Sequence, residues 1–515
     1  MILVGGTRLK LSSIAPTIQL PVQYPCIPSI QELANVTILK PLRNFGANVQ
    51  IQPTAYYEPR DEQEVLTILN RHRGEQIRAI GRLHSWSEAV SAEGVVLNLR
   101  HLQQIDIQTA ENSVCVVVGA GCQLKTLLAR LKQQGYTLPS LGLINEQTIA
   151  GAISTGTHGS GKHSLSHYVA AVRVARYDTT TGTAIIEQID DADALRAARC
   201  SLGCLGVIVS VTMQCRETYS IEEHLREYHT LDEVLQAQEQ YPLQQFFYTP
   251  WRWRYMVQHR REVTWRRSGL PRTFRIYWFL SIDLGLHLLI LATLRTLGSF
   301  RPVQFLFKRV IPRTTIQNWK VTDDSATMLV MEHELFRHLE MELFVSREHL
   351  PGAMEYLREV LIVAGRPSSD LPSLNLDDQD RERLAALRGQ YGHHYPICVR
   401  RVLTDDTLIS MASGGTSDWY AISLISYDRP TQRQGFIQVM EFLAATMSRK
   451  FDARPHWGKF CPLPAAELIA HYPRFADFQT ICEARDGQGV FRNGWIASLF
   501  AAGKSQRSDN RPSEA

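Results

Sequence analysis

Residues 146–164 read EQTIAGAISTGTHGSGKHS, and this stretch decides how the rest of the chain is understood. Gly151, Gly156, Gly159 and Gly161 are interleaved with Ser154, Thr155, Thr157 and Ser160. Glycine lets main chain approach a ligand closely, and small hydroxyl residues add donors, so this density suits a segment that hugs a phosphate-bearing molecule. A Walker A loop is excluded, because Gly161-Lys162 is followed by His163 where that pattern needs Ser or Thr. No clean G-x-G-x-x-G opens a helix here either. His158, His163 and His167 lie near one another in sequence, but without an HExxH spacing or a neighbouring carboxylate they form no metal set, and no metal is expected.

Two further segments extend the pattern outward. Upstream, AIGRLHSWSE (79–88) places Gly81 directly after a strand-like run and then presents His84 and Ser85. Downstream, SLGCLGVIVSVTM (201–213) is a Gly-x-x-Gly turn feeding an apolar strand, a place where the backbone is crowded. Around them EQIRAIG, GVVLNL, NSVCVVVG, AAVRVARYDTT and GVIVSVTMQC read as strands by their Val, Ile and Thr content. QLKTLLARLKQQG repeats apolar residues at helical spacing and stops at Gly135. After about residue 216 the character changes. IEEHLREYHTLDEVLQAQEQYP reads as helical; EMELFVS, YPICVRRVL and WYAISLISY read as strands, and EHLPGAMEYLREVLIVAG as a helix covering them.

In this order and at these spacings, the three glycine-bearing segments resemble the FAD-binding domain of the vanillyl-alcohol oxidase and p-cresol methylhydroxylase type flavoproteins. The resemblance covers roughly residues 50 to 216. The second half, through HYPICVRRVLTDDTLISM (394–411) and PHWGKF (455–460), is similar to the aldonolactone oxidase branch, with its gulonolactone and arabinonolactone oxidases and alditol oxidases. The resemblance implies an α+β fold: a two-part FAD-binding domain followed by a substrate, or cap, domain built on an antiparallel sheet. The boundaries it implies are an N-terminal arm over 1–45, the FAD-binding domain over 46–216, the cap domain with the HWGK loop over 217–505, and a mobile polar tail over 506–515.

Residue roles follow from the same resemblance. His84 matches the histidine that carries a covalent flavin. Ile80, Gly81, Arg82, Leu83, Ser85, Thr148, Ile153, Gly156, His158, Gly159, Ser160, Gly161, Gly203, Gly206, Ile208 and His456 fall where FAD contacts occur. Arg400, Lys459 and Cys398 occupy the substrate end, as candidates for catalysis. Two departures stand out. Leu83 precedes the histidine where the family has glycine, and Cys398 stands where the branch has glutamate; Glu342 in EMELFVS is the carboxylate that could substitute. The implied reaction is oxidation of a hydroxyl carbon of a sugar-derived lactone or polyol, with electrons passed to oxygen or another acceptor. Fixed cations suit it, because the protein's share of flavin chemistry is positioning and electrostatics. One alternative keeps FAD with lost or altered turnover, as a redox-binding or membrane-associated partner, and Cys398 is the feature that favours it; another is a dehydrogenase of the same fold that passes electrons to a cytochrome or quinone.

Composition bounds the remaining classes. A chain of 515 residues, 44% hydrophobic and 21% charged, has the make-up of a folded protein with more than one core. A net charge of +4 over 55 basic and 51 acidic residues is weak evidence for nucleic acid, whose binders usually carry a concentrated basic face. Nine cysteines without a CxxC pair fit reduced thiols and a cytoplasmic setting. The start of the chain lacks an apolar core followed by a small-residue cleavage site. The apolar run 276–294 contains Asp283 and His287, which disfavours a spanning helix and favours a buried or surface-lying one. With the aromatic and basic run WRWRYMVQHRREVTWRRS (251–268) before it, residues 251–294 offer a surface for peripheral membrane contact; the plainer reading is a solvated basic face beside a core helix.

Overall fold

The Val- and Ile-rich runs become strands, and beside a two-stranded ladder of Leu42–Arg43 with Gln50–Ile51 they build three larger sheets that border one crevice. A computed structural model describes residues 41–509, apart from 112, 265–266, 298–300 and 332–335. A small parallel sheet holds β1 (Ala55–Tyr57), β2 (Ile77–Ile80) and β3 (Val95–Asn98), in the order β1-β3-β2. The second sheet is antiparallel and holds β4 (Ile105–Ala110), β5 (Ser113–Gly119), β6 (Val169–Tyr177), β7 (Ala184–Ile189) and β8 (Val207–Glu217), in the order β7-β6-β8-β5-β4. The helix expected before Gly135 spans Leu124–Gln133, and Gly135 follows it at φ +80°. Its Leu124, Leu127, Leu128 and Leu131 are buried, the spacing of one helix face.

The third sheet has eight strands, all antiparallel: β9 (Ser220–Tyr228), β10 (Gln245–Thr249), β11 (Arg254–Val263), β12 (Val321–Asp324), β13 (Leu339–Ser346), β14 (Ile397–Val402), β15 (Trp419–Ser426) and β16 (Arg454–Pro455). Their order is β12-β9-β11-β10-β14-β15-β13-β16. Helices Leu350–Ala364 and Gln434–Phe451 cover it with mostly aliphatic faces. The α+β architecture with an antiparallel sheet in the second half is as the sequence implied.

Three expectations are corrected. Residues 220–228 are a strand rather than the start of a helix; the helix begins only at Leu231. The charges that make IEEHLREY look helical are cross-strand partners, since Glu223 pairs with Arg260 at 2.6 Å and Glu222 with Arg261 at 2.9 Å. The run 251–263 is therefore largely the strand β11, with Arg260 and Arg261 paired to the neighbouring strand rather than left to solvent; Arg252 likewise pairs with Glu227 at 2.7 Å. Finally, a helix spans Gly494–Asp509, so the expected mobile tail is helical as far as Asp509, and 510–515 lie outside the described residues. Of the N-terminal arm, residues 1–40 lie outside them as well.

Candidate active site

The glycine-bearing loops of the first half and one face of the third sheet meet at a cavity. The loop after β2 presents Gly81, Arg82, Leu83 and His84 to it. Gly81 is required by space, since a Cβ there would stand 2.2 Å from Thr148 Oγ1. Leu83, standing where the family has glycine, takes the left-handed conformation at φ +57°, so the loop keeps its turn at the cost of strain in an L-residue. His84 then lies stacked on Phe45, ring centroids 5.0 Å apart. Burial, then the charge of Arg82, pushes its pKa down to about 4, so its imidazole is neutral near pH 7.

The HWGK loop is tied to this one by main-chain contacts. Trp86 N–H and Ser85 Oγ donate to the Gly458 carbonyl at 2.8 and 3.2 Å, and Ser87 Oγ donates to the Trp457 carbonyl at 2.5 Å. On its other side the loop is pinned to β13: His456 N–H donates to the Glu342 carbonyl and Phe460 N–H to the Glu340 carbonyl, each at 2.9 Å. His456 and Lys459 are thereby fixed at the cavity wall.

The wall opposite is one face of four adjacent strands. Register sets Phe247 beside Cys398, Cys398 beside Ser423, and Ser423 beside Glu342. Because alternate residues of a strand share a face, Arg400, Glu340 and Ile425 line the same cavity. Glu342 is the hub. Its Oε2 lies 3.3 Å from His158 Nε2 and 4.0 Å from His456 Nε2, and its Oε1 lies 3.9 Å from an Arg400 guanidinium nitrogen. Its carboxylate is 2% exposed, yet Oε1 accepts no hydrogen bond. Burial would raise its pKa, but its cationic partners, His158 first by charge and hydrogen bond, outweigh burial and hold it down at about 2.

Hydrogen-bond partners fix where the protons sit. His456 Nδ1 accepts from Gly458 N–H at 2.9 Å, and burial first of all pushes its pKa down to about 3, so this neutral ring carries its proton on Nε2, facing Glu342. His158 Nδ1 lies 3.0 Å from the Gly159 carbonyl, which can only accept. Its Nε2 lies 3.3 Å from Glu342 Oε2, within hydrogen-bond reach. Lys459 Nζ lies 2.5 Å from Glu340 Oε2 and 4.3 Å from the centre of the Trp86 ring, and Ser423 Oγ donates to the other Glu340 oxygen. Cys398 is buried, which raises its pKa and keeps the thiol protonated.

Of the residues implied by resemblance, Ile80, Gly81, Arg82, Leu83, His84, Ser85, Thr148, His158, Gly203, Ile208, Cys398, Arg400, His456 and Lys459 line this cavity. Ile153, Gly156, Gly159, Ser160, Gly161 and Gly206 do not line it, and they hold the frame instead. Ile153 is core. Gly156, at φ +73°, packs under Met411, while Gly159 and Gly206 pass close to the carbonyls of Leu141 and Ala175. Ser160 Oγ donates to the Gln244 carbonyl at 2.5 Å and Gly161 N–H to the Arg401 carbonyl at 2.7 Å, fastening the loop to the third sheet. Glu340, Ser423, Tyr395, Tyr427 and His287 line the cavity without having been singled out as site residues. The one signal for the carboxylates was EMELF, two glutamates two residues apart in an apolar strand, hence on one face.

Comparison with known proteins matches these two halves separately. A profile for an FAD binding domain matches residues 53–184. A profile for D-arabinono-1,4-lactone oxidase matches residues 211–499, more than half of the chain. The chain belongs to the D-arabinono-1,4-lactone oxidase family. It is an FAD-dependent oxidoreductase acting on CH–OH groups. Similar proteins in this family setting include a long-chain alcohol oxidase from an uncultured marine euryarchaeote, 54% identical over 467 residues that cover 89% of this chain and 97% of that protein. The L-gulonolactone oxidase of Mus musculus is 25% identical over 89% of this chain and 98% of its own. Among solved structures, a solvent-stable cholesterol oxidase has the same fold, with a TM-score of 0.66 at 16% identity, over 89% of this chain and 97% of that one. The residues present fit FAD: glycines leave the first-half wall open where a Cβ would intrude, and Lys459, Arg400 and His456 supply fixed polar groups at the other end.

Proposed function

We propose that the chain oxidises the carbinol carbon of a lipophilic, long-chain alcohol, and that Glu342 receives the hydroxyl proton. The observation that carries the reading is Glu342 Oε1, a buried carboxylate oxygen that lines the cavity and accepts no hydrogen bond, a place made for a donor such as a substrate hydroxyl. FAD, when bound, supplies the acceptor for the hydride that leaves the same carbon. A carboxylate held at about 2 is a weak base, but it suffices here: as the hydride departs, the hydroxyl becomes that of a protonated carbonyl, a strong acid. Arg400 orients the carboxylate, and the contact with His158 keeps Oε2 engaged so that Oε1 faces the substrate. Glu342 thus stands in for the glutamate that Cys398 replaces, from two strands away on the same sheet face.

The apolar part of the cavity supports the substrate class. Leu143, Ile144, Phe247, Met331, Ile425 and Tyr427 offer it surface rather than partners. A sugar lactone brings several hydroxyls, each needing a partner once desolvated, whereas an alkyl chain needs none. The relative at 54% identity is a long-chain alcohol oxidase, which agrees. A second reading, oxidation of a sugar-derived lactone or polyol, is favoured by the polar end, where His456, Arg400 and Lys459 could serve further hydroxyls. Oxygen serves as the electron acceptor in either reading, and the flavin is joined to His84, whose neutral imidazole keeps a lone pair for the bond.

Anaerobic bleaching of the flavin by a series of 1-alkanols of rising chain length, set beside aldonolactones and alditols, tests the substrate. Reduction that quickens with chain length supports the first reading; reduction by lactones alone replaces it with the second. Glu342→Gln should slow reduction by about a hundredfold or more while flavin content holds. Acid precipitation should leave flavin with the wild-type polypeptide and release it from His84→Ala; release from both removes the covalent bond.

A further inference from the structure

Every large hydrophobic side chain that is exposed among the described residues falls between positions 270 and 316. Leu270, Ile276, Leu280 and Phe305 are more than half exposed, and Phe279, Leu288, Leu289 and Ile316 follow. They sit on a helical excursion between β11 and β12. The first arm is the helix Pro271–Leu294, long and apolar enough to cross a membrane by length and composition, and the second occupies residues 301–314. An apolar patch of this extent on a folded protein marks an interaction surface.

The charges around the patch say what covers it. In sequence, residues 267–320 contain nine lysines and arginines and one aspartate, in a chain whose net charge is only +4. Exposed Arg272 precedes Ile276 by one turn, exposed Lys308 and Arg309 follow Phe305 by one turn, and exposed Arg313 precedes Ile316 by three residues. Trp278 and Trp319 lie half-buried beside them, at the level where amphipathic rings favour a water–lipid boundary. Cations ringing an apolar face complement an anionic bilayer surface.

The first helix is fastened to the body along one side. Phe274 packs with Ile221, Leu243 and Val321, while Leu286 and Ile290 pack with Trp251, Val303 and Phe307. Tyr277 Oη donates to the Thr314 carbonyl at 3.0 Å and ties the two arms together. From the same helix His287 reaches the active-site cavity, its Nε2 3.2 Å from Tyr395 Oη and its ring stacked on Phe336.

We propose that the excursion over residues 267–320 docks on an anionic lipid bilayer and that the helix bearing His287 forms the wall between that bilayer and the cavity, where a lipid-dissolved alcohol enters. The docking stands on the surface alone; the entry route rests on the long-chain alcohol reading above. The holoprotein is sedimented with vesicles of phosphatidylcholine and phosphatidylglycerol, and with vesicles of phosphatidylcholine alone. It should pellet with the first and far less with the second. Leu280→Glu/Leu288→Glu/Phe305→Glu should stay in the supernatant, and Arg272→Glu/Lys308→Glu/Arg309→Glu should partition about a hundredfold more weakly, as expected for losing several surface cations. Both variants should oxidise a water-soluble short-chain alcohol at the wild-type rate and lose rate only on a long-chain alcohol supplied in vesicles. Wild type that stays in solution with both vesicles, or variants that pellet as wild type does, overturns the docking. So does a solution dimer that the leucine variant splits, which would make the face a contact between copies, and so does retention after alkaline carbonate, which would mark a spanning helix. Vesicle binding without oxidation of any alcohol leaves the docking in place and removes the alcohol reading.

Discussion

Replacing Lys459 with Met should damage the protein in two separable ways. The ammonium sits 2.5 Å from Glu340 Oε2, in a pair whose side chains are 16% and 6% exposed. Burial raises the Glu340 pKa, and Lys459 and then His338 more than reverse that, leaving it well below the usual range. Removing the lysine leaves a buried carboxylate without its main counter-charge, a loss of about 3–5 kcal/mol for a buried pair broken on one side. The variant can relieve this by taking up a proton, so Glu340 should titrate above its ordinary value. Stability of the variant is then greatest below that raised pKa and is lost as the pH climbs through it, so the deficit against wild type should be larger at pH 8 than at pH 5. Flavin reduction should also fall, by roughly a hundredfold, the scale of removing one fixed charge-stabilising donor. Adding Glu340→Gln to Lys459→Met should recover most of the stability and none of the rate. Urea unfolding at both pH values and anaerobic stopped-flow reduction read the two effects. If Lys459→Met unfolds within about 1 kcal/mol of wild type at pH 8, the pair contributes little, as exposed pairs do; if the double variant also recovers the rate, Lys459 acts only through Glu340.

Leu83→Gly should be tolerated and should stabilise the protein by about 1 kcal/mol, because φ +57° costs an L-residue about that much and glycine nothing; a loss in urea midpoint would show that the Leu83 side chain contributes more than its strain. Gly161→Ala should lower stability by about 2 kcal/mol or more, since φ +76° is compounded by a Cβ that would lie 2.0 Å from the Pro242 carbonyl; an unchanged melting temperature would refute that account. Acid should weaken the fold through Glu342: its folded pKa is held below the ordinary carboxylate value, so the stability it contributes is fully present above pH 4.5 and fades as pH falls toward 2. Glu342→Gln should therefore flatten the acid limb of a stability–pH curve, and an unaltered limb would place the titrating group elsewhere.

The first half of the molecule was legible because its chemistry is local. A loop that must pass near a phosphate needs glycine at particular positions, and Gly81 and His84 announce themselves within ten residues of sequence. Strands such as NSVCVVVG carry their own β preference, and HWGK is fixed by contacts to its immediate sheet neighbour and one loop. Even there, the six residues that serve the frame instead of the cavity could not be told apart, because which side of a loop faces a ligand depends on what the loop packs against. IEEHLREY misled for the same reason: its alternating charges suit a helix surface equally well until β11 supplies Arg260 and Arg261 across the ladder.

Sequence by itself determined the α+β class, the loops that fit FAD, and the candidates His84, Arg400 and Lys459. Tertiary structure alone brought Glu342, the carboxylate proposed to replace the one missing at Cys398, to the cavity wall. That depends on β15 lying between β14 and β13, so that Cys398, Ser423 and Glu342 stand in one row, and strand order is a property of the whole sheet that no single strand encodes. It also decided that Leu270, Leu280, Leu288 and Leu289 face outward while His287 faces the cavity. The hydropathy of a helix gives the amount of apolar surface, but only packing against the body settles which side remains uncovered.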